Sequence, residues 1–274
     1  MDAIRVTVRR GDVVEAVHRV HVVGTDGRVF GDPDLRFFLR SSLKPLQAVP
    51  FVEGYDDLGD DEIAIACASH RAEPEQLAAV RKVLARAGAT VDDLENGLQE
   101  CRPEGKLGHN CSGKHAGMLA ACAANGWPLH PYRDPSHPLQ QRIAEIAGGG
   151  DTAVDGCGVP TFARTLRESA QLLTRVPERI RSAMRARPEL IGSSSGATDT
   201  DLMRHADGWI AKGGSEGLLC AAHESGLGVA FKAEDGAYRA IGPVVGHVLG
   251  VEQLLETPVE NSRGERVGVI GLAR

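Results

Sequence analysis

A serine lies three residues before a lysine in the segment Arg40-Ser41-Ser42-Leu43-Lys44-Pro45. Side chains at positions i and i+3 of a helix lie on the same face, so Ser41 and Lys44 are expected about a hydrogen bond apart. A neutral lysine amine can take the proton of a serine hydroxyl and make it a nucleophile for an acyl carbon. The spacing favours an acyl-transfer hydrolase, although it is also typical of a helix cap followed by a solvated lysine.

The position of Pro45 sets where this helix begins. Proline is tolerated only in the first turn of a helix, so the helix is predicted to start close to Ser41. For Lys44 to act as a base at neutral pH, its pKa must fall from about 10.4 to between about 7 and 8. Burial or a second positive charge nearby would cause such a shift.

A second hydroxyl, that of Ser69, follows the apolar run from Ile63 to Ala68 and precedes a predicted helix. A serine at such a junction is often only a turn former or a helix cap. Its functional interpretation is a hydroxyl that relays a proton or binds the substrate.

Two thiols and an amine form a third group of candidates. Cys111 and Lys114 open another predicted helix, and Cys157 follows 46 residues after Cys111 in a glycine-flanked turn. Two thiols with nitrogen donors suit a zinc ion, provided that the amine loses its proton. His109 and His115 are more ordinary nitrogen donors. Two cysteines so far apart in sequence are commonly unrelated. The sequence therefore leaves open whether these residues bind a metal or are separate buried thiols.

The composition excludes several classes of protein. The chain has 274 residues, 42% hydrophobic and 25% charged, with a net charge of −6. This balance argues against a nucleic-acid partner, and the arginine-rich segment 175–187 has the apolar spacing of an amphipathic helix. No apolar run is long enough to span a bilayer, and the start of the chain lacks a secretory pattern. A cytoplasmic location is therefore expected, with a homodimer left open.

The hydrophobic pattern predicts an α+β fold, with antiparallel sheet from both ends of the chain flanked by helices and a helical middle section. Residues 4–30 read as a β-meander, and residues 226–232 and 238–241 as a hairpin. One domain is predicted over residues 1–274, with a helical subdomain over about 72–200. The predicted helices are Glu75–Ala87, Lys114–Asn125, Pro138–Ala147, Pro160–Leu173, Pro177–Arg187 and Pro243–Leu255.

Seven motifs, taken in order, resemble the asparaginase II family, the rhizobial-type L-asparaginases. They are Arg40-Ser41-Ser42-Leu43-Lys44-Pro45, Cys67-Ala68-Ser69-His70, His109-Asn110-Cys111-Ser112-Gly113-Lys114-His115-Ala116-Gly117, His137-Pro138-Leu139-Gln140, Asp155-Gly156-Cys157-Gly158-Val159-Pro160, Lys212-Gly213-Gly214-Ser215-Glu216-Gly217, and Lys232 before Asp235-Gly236. The resemblance runs from about Val14 to Ala240.

The resemblance implies hydrolysis of L-asparagine to L-aspartate and ammonia on a fold similar to serine β-lactamases and glutaminases. It implies two Ser-Lys tandems, Ser41 with Lys44 and Ser69 with Lys232. Lys232 is preferred to Lys212 because it ends a predicted edge strand, whereas Lys212 opens a glycine-rich turn.

The resemblance also implies ligands. The zinc site of the family corresponds to Cys111, Lys114 and Cys157, and turnover need not depend on the metal. Arg40 is expected to bind the α-carboxylate of the substrate and Asp155 its α-ammonium group.

Two segments depart from the family pattern. Arg71-Ala72-Glu73 stands where a small residue and a glycine are expected, and Gly192-Ser193-Ser194-Ser195 lacks an arginine often found before Asp199-Thr200. The first lies beside the predicted site and bears on substrate affinity.

Several rival functions stay open at this stage. Glutaminase, or hydrolysis of another small amide, differs from asparaginase by as little as one methylene in the substrate. A β-lactam-recognising serine hydrolase shares the Ser-x-x-Lys pattern but normally carries a Lys-Thr-Gly element, which has no suitably placed match. A non-catalytic amino-acid sensor could also keep such a pocket.

Overall fold

The computed structural model describes residues 1–273, which fall into two compact units. The first unit consists of Met1–Phe37, Arg164–Thr174 and the chain from Asp201 onward, and the second of Phe38–Ala163 and Arg175–Thr200. The single domain over residues 1–274 and the helical subdomain over about 72–200 stay predictions.

Seven strands of the first unit form a continuous antiparallel path in the order β10-β11-β1-β2-β9-β8-β7, and β3 pairs with β2. The strands of the chain are β1 Ile4–Arg10, β2 Val13–Gly24, β3 Val29–Phe30, β4 Arg36–Phe38, β5 Thr152–Val154, β6 Pro160–Thr165, β7 Trp209–Gly214, β8 Leu218–His223, β9 Gly228–Ala233, β10 Glu256–Glu260 and β11 Arg266–Leu272.

The predicted meander at the start of the chain is confirmed as β1, β2 and β3. Gly11 makes the first turn with a φ of +55°, a conformation that glycine adopts without a steric penalty. Val6 and Val8 alternate with more exposed neighbours along β1, so one face of the strand enters the core.

Most of the helices lie in the second unit. The α-helices of the chain are α1 Lys44–Gln47, α2 Val49–Glu53, α3 Asp60–Ala66, α4 Pro74–Arg86, α5 Ser112–Asn125, α6 Pro138–Ala147, α7 Leu166–Ala170, α8 Glu178–Ala186, α9 Pro188–Ile191, α10 Thr198–His205 and α11 Ile241–Leu249. Sequence and structure agree for α4, α5, α6 and α8 within a few residues, and they agree for the start of α11. None of the described helices is long and apolar enough to cross a membrane.

Two predicted elements are wrong. Over 160–173 the chain forms β6 and then α7, because Thr165 caps α7 through a hydrogen bond from the Glu168 backbone amide (3.2 Å). Over 238–241 the chain forms a short 3-10 helix that leads into α11, so the predicted hairpin is absent there. The pairing partners of β9 are β2 and β8 instead.

The α+β prediction is confirmed, because an antiparallel sheet built from both ends of the chain is combined with a mostly helical middle. Helix α11 contributes Ile241, Val244 and Val245 to the core of the first unit, where they are fully buried with Val22 and Phe231 of the sheet.

Candidate active site

Lys44 is fully buried at the start of α1. Its Nζ donates hydrogen bonds to the Ala68 carbonyl (2.5 Å) and to the Ser69 Oγ (3.0 Å). Ser69 follows the end of α3, and its backbone amide donates to the carbonyl of Ile191 (2.8 Å). The amine of Lys44 is thus held away from bulk water and within reach of a hydroxyl.

Ser41 lies close to Lys44 in the sequence, and its carbonyl oxygen accepts a hydrogen bond from the Lys44 backbone amide. It is half-buried in a 3-10 helix, Arg40–Leu43, that precedes α1. Within residues 1–273, no hydrogen bond joins the Ser41 hydroxyl to Lys44. Arg40 has a φ of +48°, which is rare for a residue with a side chain, so the backbone is strained at this point. The helix begins close to the position that Pro45 predicts, but the Lys44 amine contacts the hydroxyl of Ser69 instead of that of Ser41.

The three predicted metal ligands are brought together in the second unit. Cys111, Lys114 and Cys157 are all buried, and the Lys114 Nζ lies 2.9 Å from the Cys157 Sγ. A hydrogen bond with Cys157 holds the pKa of Cys111 well below its usual range, and it raises the pKa of Cys157 itself. Burial lowers the pKa of Lys114, but the charges of Cys157 and Cys111 outweigh it and raise that pKa.

Local geometry explains how these side chains are placed. Cys111 is the N-cap residue of α5 and Lys114 lies in its first turn, as the i, i+3 spacing predicts. Gly113 lets α5 approach α3 closely, because a Cβ there would stand 2.2 Å from the Ile65 carbonyl oxygen. Cys157 lies in the tight turn between β5 and β6, where Gly158 has a φ of +90°.

The predicted zinc ligands are two thiols and one lysine amine. No group of three or more His, Cys, Asp and Glu side chains in residues 1–273 is arranged to hold a metal. The predicted set takes its third donor from the Lys114 amine, which must lose its proton to bind. Cysteine thiolates are usual ligands of zinc, whereas its usual nitrogen ligand is the imidazole of histidine. His109 is engaged otherwise, since its Nδ1 accepts a hydrogen bond from the Cys111 amide (3.0 Å).

The two predicted substrate-binding residues contact each other. The Nε of Arg40 donates to the Oδ1 of Asp155, which also accepts from the Gly156 amide (2.7 Å). Burial raises the pKa of Asp155, but the charges of Lys114 and Arg40 outweigh it and lower that pKa. A cation and a carboxylate side by side are complementary to the two charged groups of a free amino acid.

Lys232 belongs to the first unit. It lies in β9, between β2 and β8, so the prediction that it ends an edge strand is wrong. Its Nζ donates to the carbonyls of Glu216 and Ala233 (2.6 Å each). Burial lowers the pKa of Lys232, and the charges of Glu216 and Asp235 oppose this. Lys212 is a residue of β7 rather than the start of a turn, because β7 continues to Gly214.

His70 is a buried residue beside Ser69 that the sequence analysis does not assign to the site. The Ser112 Oγ donates to the Leu107 carbonyl (2.7 Å) and therefore accepts the hydrogen bond from His70 Nε2 (2.8 Å). The Ala72 amide donates to the Nδ1 of His70 (3.1 Å). Burial lowers the pKa of His70 to about 3, so the ring is neutral. His70 thus links the segment of Ser69 to the start of α5, and only its adjacency to Ser69 signals this in the sequence.

The two segments that depart from the family pattern lie against each other. The guanidinium of Arg71 donates to the carbonyls of Ser195 (3.4 Å) and Gly196 (3.2 Å). The carboxylate of Glu73 accepts from the amide and the hydroxyl of Ser194, at 3.1 Å each. The unusual residues therefore form one local set of contacts beside Ser69.

Comparisons with known proteins give one family match over most of the chain. A family model described as L-asparaginase II matches residues 6–270, and no curated protein sequence matches. A similar solved structure is a candidate beta-lactamase from Bacteroides dorei DSM 17855, with 14% identity, a TM-score of 0.41, and 85% of this chain and 88% of that chain covered. A Bacillus glutaminase has 13% identity and a TM-score of 0.34, with 86% and 90% covered. The protein Mglu has 12% identity and a TM-score of 0.35, with 85% of this chain and 66% of Mglu covered.

Proposed function

The chain belongs to the L-asparaginase II family, and from that premise we propose that it hydrolyses L-asparagine to L-aspartate and ammonia. The family supports an asparaginase-type amidohydrolase. The choice of L-asparagine, the Ser-Lys chemistry and the roles of individual residues are parts of the proposal. A cytoplasmic location and a homodimer stay predictions.

The single observation that carries the proposed chemistry is the buried amine of Lys44 at 3.0 Å from the Ser69 hydroxyl. A general base must lie within about 2.6–3.2 Å of the proton that it removes. Lys44 meets this requirement toward Ser69. In its neutral form the amine would accept the serine proton as the hydroxyl oxygen attacks the side-chain amide carbon, and it would return a proton to the nitrogen as ammonia leaves the tetrahedral intermediate. Water would then hydrolyse the resulting acyl-enzyme, which releases L-aspartate and restores the serine.

Two assignments of the attacking serine follow from this geometry. In the first, Ser69 attacks and gives its proton directly to Lys44. In the second, Ser41 attacks, as the sequence pattern favours, and its proton reaches Lys44 through the Ser69 hydroxyl. Both assignments make Ser69 and Lys44 necessary, and they differ in whether the acyl group is attached to Ser41.

The remaining predicted residues receive supporting roles. Arg40 would bind the α-carboxylate of the substrate and Asp155 its α-ammonium group, which the adjacency of the two side chains supports. Lys232 would form the second tandem with Ser69, as the family resemblance implies. The depressed pKa of this buried lysine favours an amine that can exchange protons.

Zinc is proposed as a structural component of the site, held by Cys111, Lys114 and Cys157. A bound zinc ion supplies a positive charge that orders its ligands and polarises nearby oxygen atoms. Without metal, negative charge on the sulfurs of Cys157 and Cys111 raises the pKa of Lys114 and keeps its amine protonated. Metal binding would therefore displace a proton, and zinc would compete with protons for these side chains.

Ammonia release from L-asparagine and from L-glutamine, with and without a chelator, tests the proposal. The wild-type protein is expected to release ammonia from L-asparagine faster than from L-glutamine, and Ser69→Ala is expected to lose this activity. Near-normal turnover by Ser41→Ala would assign the attack to Ser69. Preference for L-glutamine would identify a glutaminase, and hydrolysis of a chromogenic β-lactam would identify a β-lactam-recognising hydrolase. Tight binding of L-asparagine without ammonia release would identify a sensor.

A further inference from the structure

Gln76 is a buried residue of α4 to which the proposed function assigns no role. Only 1% of its surface is exposed, and it lies in the first turn of the helix. Its side-chain oxygen accepts hydrogen bonds from the backbone amides of Arg71 (3.0 Å) and Glu73 (3.1 Å). Its side-chain nitrogen donates to the carbonyls of Glu189 (3.1 Å) and Gly192 (3.3 Å), which lie 113 and 116 positions further along the chain.

These neighbours fix which end of the Gln76 amide is oxygen and which is nitrogen. Backbone amides can only donate and carbonyls can only accept, so a reversed side chain would lose all of these contacts. Both N–H groups and the oxygen of the side chain are therefore engaged. Because the group is buried, water is not available to replace a contact that is lost. Gln76 thus joins two segments of the chain, 71–73 and 189–192.

The same two segments adjoin the hydrogen bond that holds the backbone of Ser69. The Ser69 amide donates to the carbonyl of Ile191 (2.8 Å), which lies in the sequence between the two carbonyls that Gln76 binds. The Ser69 hydroxyl in turn lies 3.0 Å from the Nζ of Lys44. A displacement of segment 189–192 would therefore move Ser69 relative to the lysine amine.

Ala72 shows that segment 71–73 needs support. Its φ is +62°, a left-handed conformation that is unfavourable for a residue with a side chain. Such strain persists only where the surrounding structure holds it. The amides on both sides of Ala72, those of Arg71 and Glu73, bind the same oxygen of Gln76. Gln76 thus holds this segment on both sides of its strained residue.

We propose that Gln76 is a positioning residue that fixes the Ser69 hydroxyl beside the Lys44 amine. It does so by joining segment 71–73 to the segment of Ile191, whose carbonyl binds the Ser69 backbone. Its amide is engaged with backbone groups, so it acts through Ser69 and not on the substrate. The consequence for turnover rests on the proposed function, whereas the hold on Ser69 depends on this chain alone.

Residue-resolved amide hydrogen exchange in Gln76→Glu tests the hold on Ser69. The new carboxylate can still accept from the Arg71 and Glu73 amides, as glutamate does at this helix position, but it cannot donate to the two carbonyls. We expect the Ser69 amide to exchange at least about tenfold faster than in the wild type, with the Arg71 and Glu73 amides still protected. Gln76→Met, which is uncharged and lacks a strong donor or acceptor, should expose all three amides. An unprotected Ser69 amide in the wild type, or wild-type protection of Ser69 in Gln76→Met, would overturn the proposal.

Gln140→Met is the matched control for this experiment. It removes another buried glutamine of the same unit, whose side chain donates to the carbonyl of Tyr132 (2.8 Å). The exchange of the Ser69 amide should be unchanged in this variant. Equally fast exchange of Ser69 in Gln140→Met would show a general loosening of the unit and overturn the specific role of Gln76.

Steady-state kinetics with L-asparagine test the consequence for turnover. Gln76→Met should lower kcat by at least about tenfold, because small displacements of a reacting group are costly. KM should change by less than about threefold, because the predicted substrate-binding residues, Arg40 and Asp155, lie outside both segments. An unchanged kcat, or a loss confined to KM, would overturn the positioning role. If the wild type releases no ammonia, the proposed function fails, and the exchange experiment still decides whether Gln76 holds Ser69.

Discussion

Replacement of Lys44 by methionine should remove the base while keeping the shape of the side chain. The Lys44 side chain is fully buried and donates to two oxygens, those of Ala68 and Ser69. General base catalysis typically contributes about 10²–10⁴-fold to the rate, or about 3–5 kcal/mol of barrier height. Lys44→Met is therefore expected to lower kcat by at least about 10²-fold.

The fold should tolerate this change. The variant leaves the Ala68 carbonyl without this donor, which lowers the free energy of unfolding by about 1–3 kcal/mol. It also removes the free-energy penalty of burying an amine, which acts in the opposite direction. The unfolding midpoint in urea should therefore shift only modestly, and circular dichroism should be unchanged. Lys82→Met, at an exposed lysine that pairs with Asp61, is the control for loss of a lysine and should keep full activity.

A coupled assay that follows ammonia release from L-asparagine measures the effect. If Lys44→Met is folded and retains more than about a tenth of the wild-type kcat, a basic role for Lys44 is refuted. A similar fall in the Lys82→Met control would show that the loss is not specific to this amine.

Three further predictions concern the substrate site, the pH dependence of stability and the packing of α5. Asp155→Asn should raise KM for L-asparagine by about 10–100-fold, the equivalent of one charged hydrogen bond, with a smaller effect on kcat in steady-state assays. Burial raises the pKa of Glu62, but the hydrogen bond from Arg86 and further donors outweigh it and lower that pKa. The stability from this carboxylate is present above its unfolded pKa and is lost as pH falls through the lowered folded pKa. The free energy of unfolding in urea should therefore be about 2 kcal/mol lower for Glu62→Gln than for the wild type at pH 6. Between pH 6 and pH 3 it should fall less steeply with pH than that of the wild type. Gly113→Ala should destabilise the protein by about 1–3 kcal/mol because the new Cβ meets the backbone of α3, whereas Gly97→Ala, with nothing within 4 Å, should not.

Local rules account for much of the fold. The valine alternation of β1 and the apolar stripes of α4 and α8 are periodic signals that survive in the structure. The helix predicted to begin at Pro160 is wrong, because a proline can begin a helix or a strand and the sequence does not distinguish the two. Thr165, five residues later, is the true N-cap.

The candidate site shows where local rules end. Ser41 and Lys44 have the spacing of one helical face, yet the chain passes from a 3-10 helix with a left-handed Arg40 into α1, and the two side chains do not share a regular helix. The contact between Lys44 and Ser69 joins residues 25 positions apart and depends on tertiary packing. Similarly, no spacing rule connects Arg40 with Asp155.

In the proposed reaction a serine, deprotonated with the help of Lys44, carries the acyl group during turnover. Acid quenching of the reaction with L-asparagine, followed by peptide mapping in a mass spectrometer, can detect this acyl group. We expect an aspartyl adduct on Ser69 or Ser41 in the wild type and no adduct in Lys44→Met. Ammonia release with no adduct on either serine under rapid quenching, or an adduct that forms equally well without the Lys44 amine, would contradict it.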